Sequence, residues 1–205
     1  MTEDGSRQPR GFDPQRDVII DARNLRGLAH PLRLRMLAML RESGPATATL
    51  LAGRLGESSA ATSYHLRQLA EYGFVVDDER PSAGRERWWR AAHRSSYFDT
   101  VGDESDEAQL LGVEYLRGVV RALAGRMEAW VDALPAMPRE WREAGNISDY
   151  RMQLTPAQAV DLIERLDELG LEGRQDEGTP NAPGARRVVF QFQVLPDPRS
   201  VLDDA

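Results

Sequence analysis

The chain has 205 residues, of which 41% are hydrophobic and 29% charged, and it carries a net charge of −7. This composition is typical of a globular protein with a core of its own. The absence of cysteine excludes disulfides, thiolate metal sites and cysteine-based redox sensing. Neither a membrane span nor a secretory signal can be recognised, so we expect a cytoplasmic protein with no membrane partner.

The charge is distributed unevenly along the chain. Residues 1–100 hold 15 arginines against 13 acidic residues, whereas residues 101–205 hold 11 arginines against 20. Only the first half can therefore offer a face to nucleic acid, and its small positive excess supports such a partner only weakly.

Apolar spacing, prolines and glycines predict four helices and two strands in the first half of the chain. The helices cover Asp17–Ala29, a segment from Pro31 to the Gly44-Pro45 pair, Thr47–Leu55 and Ser59–Tyr72, the last with Ser58 as its N-cap. The strands are Phe74–Arg80 and Glu86–Ala91, joined by turn-forming residues 81–84. Trp88 and Trp89 alternate along the second strand, so one of them is expected in the core.

The second half is predicted to begin with a long amphipathic helix over about Asp106–Leu134. A strand at Tyr150–Leu154, a helix from the capping box at Thr155 to about Leu169, and a strand at Arg187–Leu195 follow. Residues 173–185 are rich in Gly, Pro and Asn and indicate a loop between the last two.

The helix Ser59–Tyr72 has two chemically different faces on a helical wheel. One face is suited to the core and consists of Thr62, Leu66 and Leu69. The opposite face is small, hydroxylated and basic, and consists of Ala60, Ser63, Tyr64 and Arg67. A helix that enters a DNA major groove needs such a face, because small residues allow close approach while hydroxyls and arginine bind phosphates or base edges.

Two motifs resemble those of ArsR-type regulators. Ala29-His-Pro-Leu-Arg33, with Met36-Leu37 and Leu40 after it, is similar to the opening signature of that family. Ser63-x-His65-Leu66-x-x-Leu69, followed by Gly73-Phe74-Val75, resembles its recognition helix and the start of its wing. The resemblance covers about residues 17–95, which is less than half of the chain.

This resemblance implies a winged helix-turn-helix that binds double-stranded DNA. Carried over by position, it implies contacts from Ser59, Ala60, Ser63, Tyr64 and Arg67, and from the wing at Arg85 and Arg87. Arginines beside a glycine turn can also enter a minor groove or pair with phosphate; the alternative for each is a solvated surface charge. Gln68 lies beside the outer face, where DNA contact and a solvated side chain are equally open.

The sequence gives no support for a metal, a cofactor or a catalytic residue. Many relatives sense metals through cysteines or Asp/His/Glu sets, but here the corresponding stretch, Thr49–Gly53, contains no ligand type. His65 is expected to be partly buried and hydrogen-bonded within the domain, and His30 to start a helix. The acids at 103–107 fit a helix N-terminus better than a cation site. Because no phosphate loop, nucleophile elbow or triad can be recognised, we expect no enzyme.

The predicted fold class is mainly α with small β (α+β): a winged helix-turn-helix, a long dimerisation helix and a small strand–helix–strand module. The corresponding boundaries are a disordered tail at 1–16, the DNA-binding domain at 17–100, the dimerisation region at 101–140, the C-terminal module at 141–196 and a loose tail at 197–205.

We expect a homodimeric, sequence-specific DNA-binding regulator, a repressor at a palindromic operator, that does not use metal thiolate sensing. An unidentified small-molecule or protein effector stays open, as does the role of the C-terminal module. The alternative is a winged-helix protein-interaction module that does not bind DNA specifically, favoured by the acids Asp77, Asp78 and Glu79 at the base of the wing.

Overall fold

A computed structural model describes residues 11–79, 86–98, 105–173 and 182–202. The chain divides into two compact units, Met1–Gly145 and Asn146–Ala205. The first unit contains, in chain order, β1 (Asp17–Ile20), α1 (Ala22–Leu28), α2 (Pro31–Ser43), β2 (Ala46–Thr47), α3 (Ala48–Leu55), α4 (Ser59–Glu71), β3 (Val75–Asp77), β4 (Trp88–Ala91), β5 (Ser95–Phe98), α5 (Asp106–Ala133), a 3-10 turn (Leu134–Ala136) and α6 (Arg139–Glu143).

Helix α2 lies at the centre of the core, as its apolar sequence predicts. Proline occupies its first turn, and the backbone N–H of Leu32 donates to Nδ1 of His30, the N-cap residue, at 3.2 Å. Met36 is fully buried, and side chains from α1, α3, α4, the wing and α5 pack around the helix. The helix-start role expected for His30 is thereby confirmed.

The three-stranded sheet forms the wing and closes the core beside the helices. Its strand order is β2-β4-β3, and both pairings are antiparallel, with Asp77 opposite Trp89 in the β3–β4 register. Trp89 is only 4% exposed whereas Trp88 is half-buried, as predicted from their alternation. The two-residue strand β2 is too short to have been recognised from sequence.

The prediction that a helix begins at Asp17 is wrong. Residues 17–20 form β1, which pairs in parallel with β5 some 78 positions further along the chain. The carboxylate of Asp17 is buried and accepts from the guanidinium of Arg94 at 3.0 and 3.3 Å, and this distant partner fixes the strand. Helix α1 starts only after Asp21, which forms a capping box with Asn24.

The long helix α5 agrees with its prediction within one residue. Ser105 caps it by accepting from the N–H of Ala108 at 3.3 Å. One face is buried against the domain through Ala108, Gly112, Tyr115 and Gly118, and the ring of Tyr115 meets that of Phe98 edge-on at 5.3 Å. Several large apolar residues outside this face, among them Leu110 and Val120, are exposed. At 28 residues the helix is about 42 Å long.

The second unit contains α7 (Pro156–Glu172) and α8 (Pro198–Leu202). The predicted capping box is confirmed, because Thr155 and Gln158 bind each other's backbone N–H groups. The strand predictions at residues 150–154 and 187–195 are wrong: within the described residues neither segment pairs in a ladder. Alternating apolar residues indicate a strand only where a neighbouring strand exists, and the described part of this unit contains none. The small-β part of the α+β class therefore consists of the wing and the β1–β5 pair.

None of the helices in the described part of the chain is both long and apolar enough to cross a membrane.

Candidate nucleic-acid interface

The turn between α3 and α4 is built by two local signals. Helix α3 ends at Gly56, whose φ of 70° is a left-handed conformation that favours glycine. Helix α4 then begins with Ser58, whose Oγ accepts from the N–H of Ala61 at 3.1 Å. These caps fix where the second helix of the helix-turn-helix starts and which side chains face outward.

The inner face of α4 is bound to the domain as predicted. Thr62, Leu66 and Leu69 are completely buried. The hydroxyl of Thr62 lies 3.0 Å from the carbonyl oxygen of Ala48 in α3, so it can donate across to the preceding helix as well as within its own. The recognition helix is therefore held by both apolar packing and a buried polar contact.

The outer face of α4 is open to solvent. Ser59, Ala60, Tyr64 and Arg67 are exposed, Tyr64 to 55% of its surface, and Ser63 is half-buried. Arg67 makes no hydrogen bond or ion pair with any residue that the structure describes. A guanidinium that is exposed and makes none of these bonds, and that lies beside hydroxyl groups, can bind phosphate or a guanine edge.

Two of the predicted contact residues already have partners. The amide of Gln68 donates to the carboxylate of Glu71 at 3.0 Å. The guanidinium of Arg87 donates to both carboxylate oxygens of Asp77 and lies over the Trp89 ring, 4.0 Å from its centroid. This bond lowers the pKa of Asp77 and raises the pKa of Arg87, so both remain charged. Arg85 lies outside the described residues.

A cleft joins the recognition helix to the wing. Ser63 and Arg67 of α4 line it from one side, Thr49 from the first turn of α3, and the wing from the other. The wing residues in its lining are Glu86, Arg87 and Trp89. Thr49 was missed by the sequence reasoning, although its place two residues after the N-cap Thr47 could have shown that it sits at a helix N-terminus. Backbone N–H groups at such a terminus favour phosphate.

His65 lies between the two faces of α4 and stacks on another histidine. Its ring centroid is 4.3 Å from that of His30, and Tyr64 meets it edge-on at 5.1 Å. The partial burial is as predicted, but its Nδ1 is buried with no hydrogen-bond partner in the described part of the chain. Burial lowers the pKa of both histidines, His30 lowers that of His65 further, and Arg33 lowers the pKa of both. Both rings are therefore neutral near pH 7.

Within the described residues, no group of three or more His, Cys, Asp or Glu side chains is placed to hold a metal ion.

Comparison with known proteins agrees with this geometry. Residues 28–77 match the model of a family described as a helix-turn-helix domain. The match falls inside the segment on which the resemblance to ArsR-type regulators rests, and it spans the elements from α2 to β3. Together, the match and the fold support one class of protein, the DNA-binding transcriptional regulators. No curated protein matches the chain.

Solved structures of two bacterial proteins resemble this one. The transcriptional repressor BigR from Xylella fastidiosa is 23% identical over 49% of this chain and 84% of its own, with a TM-score of 0.30. A ZitR variant from Lactococcus lactis in its apo form is 15% identical over 71% of this chain and 84% of its own, with a TM-score of 0.31. At these sequence identities and TM-scores, the two structures add no evidence to the match with the helix-turn-helix family.

Proposed function

We propose that the chain is a sequence-specific DNA-binding regulator that acts in the cytoplasm as a homodimeric repressor. The observation that carries the proposal is the shared cleft, because Ser63, Arg67 and Arg87 line it together. Residues from the recognition helix and from the start of the wing can thus contact the same duplex, one in the major groove and the other along the backbone.

Each predicted contact residue has a role that its exposure allows. Ser59 and Ala60 let the start of α4 approach the duplex closely, and the hydroxyls of Ser63 and Tyr64 bind phosphate or base edges. Arg67 supplies the charge. Gln68 must exchange its hydrogen bond to Glu71, and Arg87 its ion pair with Asp77, for contacts with DNA. Both exchanges cost little, because an exposed ion pair contributes only about 0–1 kcal/mol and a hydrogen bond about 0.5–1.5 kcal/mol. Arg85 is proposed on the sequence argument alone.

The exposed face of α5 is the proposed dimer surface. Among its exposed side chains, apolar residues at helical spacing form a stripe, which includes Leu110, Val113, Leu116, Val120, Met127 and Val131. A stripe along a helix of about 42 Å is long enough to pair with its copy about a two-fold axis. Two winged helices related in this way match a palindromic site, and a dimer seated on a promoter excludes polymerase, which makes repression the simplest outcome.

The signal that changes DNA occupancy is proposed to be something other than a metal bound by thiolates, because the sequence contains no cysteine. A signal of any kind must bind the DNA-competent and DNA-incompetent dimers with different affinity.

Fluorescence anisotropy with labelled DNA from upstream of the protein's own gene tests the proposal. An unrelated duplex of the same length measures non-specific binding, and both are titrated across a salt series. We expect the Ser63→Ala/Arg67→Ala variant to lose roughly 10- to 100-fold in affinity for the upstream DNA, since one good base contact contributes about 1–3 kcal/mol. Arg165→Ala, which removes an exposed arginine from α7, is the charge-matched control and should bind as the wild type does.

Unchanged specific binding by the double variant would show that the recognition helix is wrongly assigned. Equal affinity for both duplexes at every salt concentration would favour the alternative, a winged-helix protein-interaction module. The observation behind that alternative is the neutralisation of Arg87 by Asp77 at the wing.

A further inference from the structure

A cavity of about 170 Å³ lies between α2 and α5, within the first unit. Its walls are largely apolar and include Leu34, Leu37, Val119, Ala122 and Leu123. An apolar protein cavity of about 150 Å³ can take up benzene, so this space fits a molecule with the bulk of one six-membered ring.

Arg41 lines this cavity without a carboxylate partner. Its Nε donates to the carbonyl oxygen of His93 at 3.0 Å, and one terminal nitrogen donates to Oγ of Ser96 at 2.7 Å. Both acceptors are neutral, and among the described residues Arg41 forms no ion pair. Burial lowers the pKa of this guanidinium. A partly desolvated arginine in a mostly apolar cavity therefore keeps free donors and an uncompensated charge.

The other charged groups at the cavity are already balanced. Glu42 and Arg126, which also line it, pair with each other at 3.1 Å. The phenol of Tyr115 is buried, which raises its pKa and keeps it neutral. The nearby Asp17 pairs with Arg94. Burial also lowers the pKa of His93, so this ring is neutral near pH 7. The lining thus presents one net positive charge, at Arg41.

We propose that the cavity binds a small organic anion, with a ring-sized apolar body among the leucines and a carboxylate on Arg41. Apolar walls with one convergent charged group are typical of small-molecule sites. A planar guanidinium matches a carboxylate in charge and in the spacing of its donors.

The position of Arg41 connects this ligand to DNA binding, and this step rests on the proposed function. His93, whose carbonyl Arg41 holds, lies between β4 of the wing and β5. An anion that draws the guanidinium into the cavity weakens that bond and loosens the anchor of the wing on α2. The ligand is then an effector that binds the DNA-free form more tightly and lowers DNA affinity.

Isothermal titration of the full-length protein with benzoate tests the ligand class, with benzamide as the neutral molecule of the same shape. We expect saturable binding of benzoate and at least tenfold weaker binding of benzamide. Arg41→Gln should lose at least tenfold in benzoate affinity, whereas Arg121→Gln, a change at an exposed arginine on α5 outside the cavity, should leave it unchanged.

A second variant keeps the test decisive if Arg41→Gln does not fold. Ala122→Leu retains the guanidinium and fills the cavity, so it should also abolish benzoate binding while the circular dichroism spectrum stays that of the wild type. In the anisotropy assay, benzoate should lower the DNA affinity of the wild type several-fold and leave that of Ala122→Leu unchanged.

Equal binding of benzoate and benzamide, or no saturable binding of benzoate up to about 10 mM, would overturn the proposal, because even a ligand this small should reach a Kd of roughly 1 mM. Benzoate binding that persists in Ala122→Leu would also overturn it. The titrations with benzoate are independent of DNA: a wild-type protein that binds benzoate but shows no specific binding to the upstream DNA, even without benzoate, would refute the proposed function and leave the ligand site standing.

Discussion

Two glycine-to-alanine substitutions are expected to change stability in opposite directions, although both lie in helices of the same domain. Gly27 in α1 is covered by the C-cap residue of the recognition helix: an added Cβ would lie 2.6 Å from both Cβ and Cγ of Tyr72. Gly53 in α3 has nothing within 4 Å of the same added atom. Alanine gains about 1 kcal/mol over glycine in a helix interior, but overpacking costs about 1–3 kcal/mol.

Gly27→Ala should therefore lose up to about 2 kcal/mol in the free energy of unfolding, and Gly53→Ala should gain up to about 1 kcal/mol. For a chain of this size each kilocalorie shifts Tm by about 2–4 °C, which calorimetry or a thermal melt followed by circular dichroism resolves. Because Tyr72 ends α4, Gly27→Ala should also displace the recognition helix and weaken DNA binding at temperatures where the variant is folded. A Gly27→Ala protein as stable as Gly53→Ala would refute the close packing of α1 on Tyr72.

Three further predictions each concern the substitution of one residue. Val120 lies in the middle of the exposed stripe of α5 and is 62% exposed. Val120→Asp places a charge there and should convert the proposed dimer to a monomer, which analytical ultracentrifugation measures. An unchanged mass would exclude this stripe as the interface. Asp77→Asn should release Arg87 and strengthen DNA binding up to about fivefold at low salt, because the pair that DNA must displace contributes up to about 1 kcal/mol. Unchanged affinity would mean that Arg87 does not reach DNA. The folded state holds His65 at a pKa below its unfolded value near 6.5, so its contribution to stability is complete above that pH and is lost as the pH falls through the folded pKa. His65→Gln should flatten the decline in urea-measured stability below pH 6.5, and an equally steep profile would contradict the burial of the neutral ring.

Local patterns predicted much of this fold because its helices carry their own signals. Pro31 and Thr155 mark helix starts, Gly56 marks an end, and the periodic apolar residues of α5 identify a long helix within one residue of its observed end. The outer face of α4 could be derived from a helical wheel in the same way, since exposure follows from periodicity once the inner face is known.

The remaining features depend on residues far apart in sequence. Strand β1 resembles a helix by spacing, and only its pairing with β5 and the buried Asp17–Arg94 contact make it a strand. The ion pair between Arg87 and Asp77 also depends on the β3–β4 register, because the two residues lie ten positions apart in sequence and only the pairing of the strands brings them together. Likewise, no local pattern reveals that Arg41 faces a cavity against α5.

Hydroxyl-radical footprinting on the DNA upstream of the protein's own gene tests the central claim most directly. We expect two protected half-sites of related sequence in inverted orientation. Their centres should lie about one helical turn, or 34–36 Å, apart, or a multiple of that distance. Protection should disappear in Ser63→Ala/Arg67→Ala and persist in Arg165→Ala. A uniform pattern without half-sites, or one that the double variant retains, would contradict a dimer that reads DNA through α4.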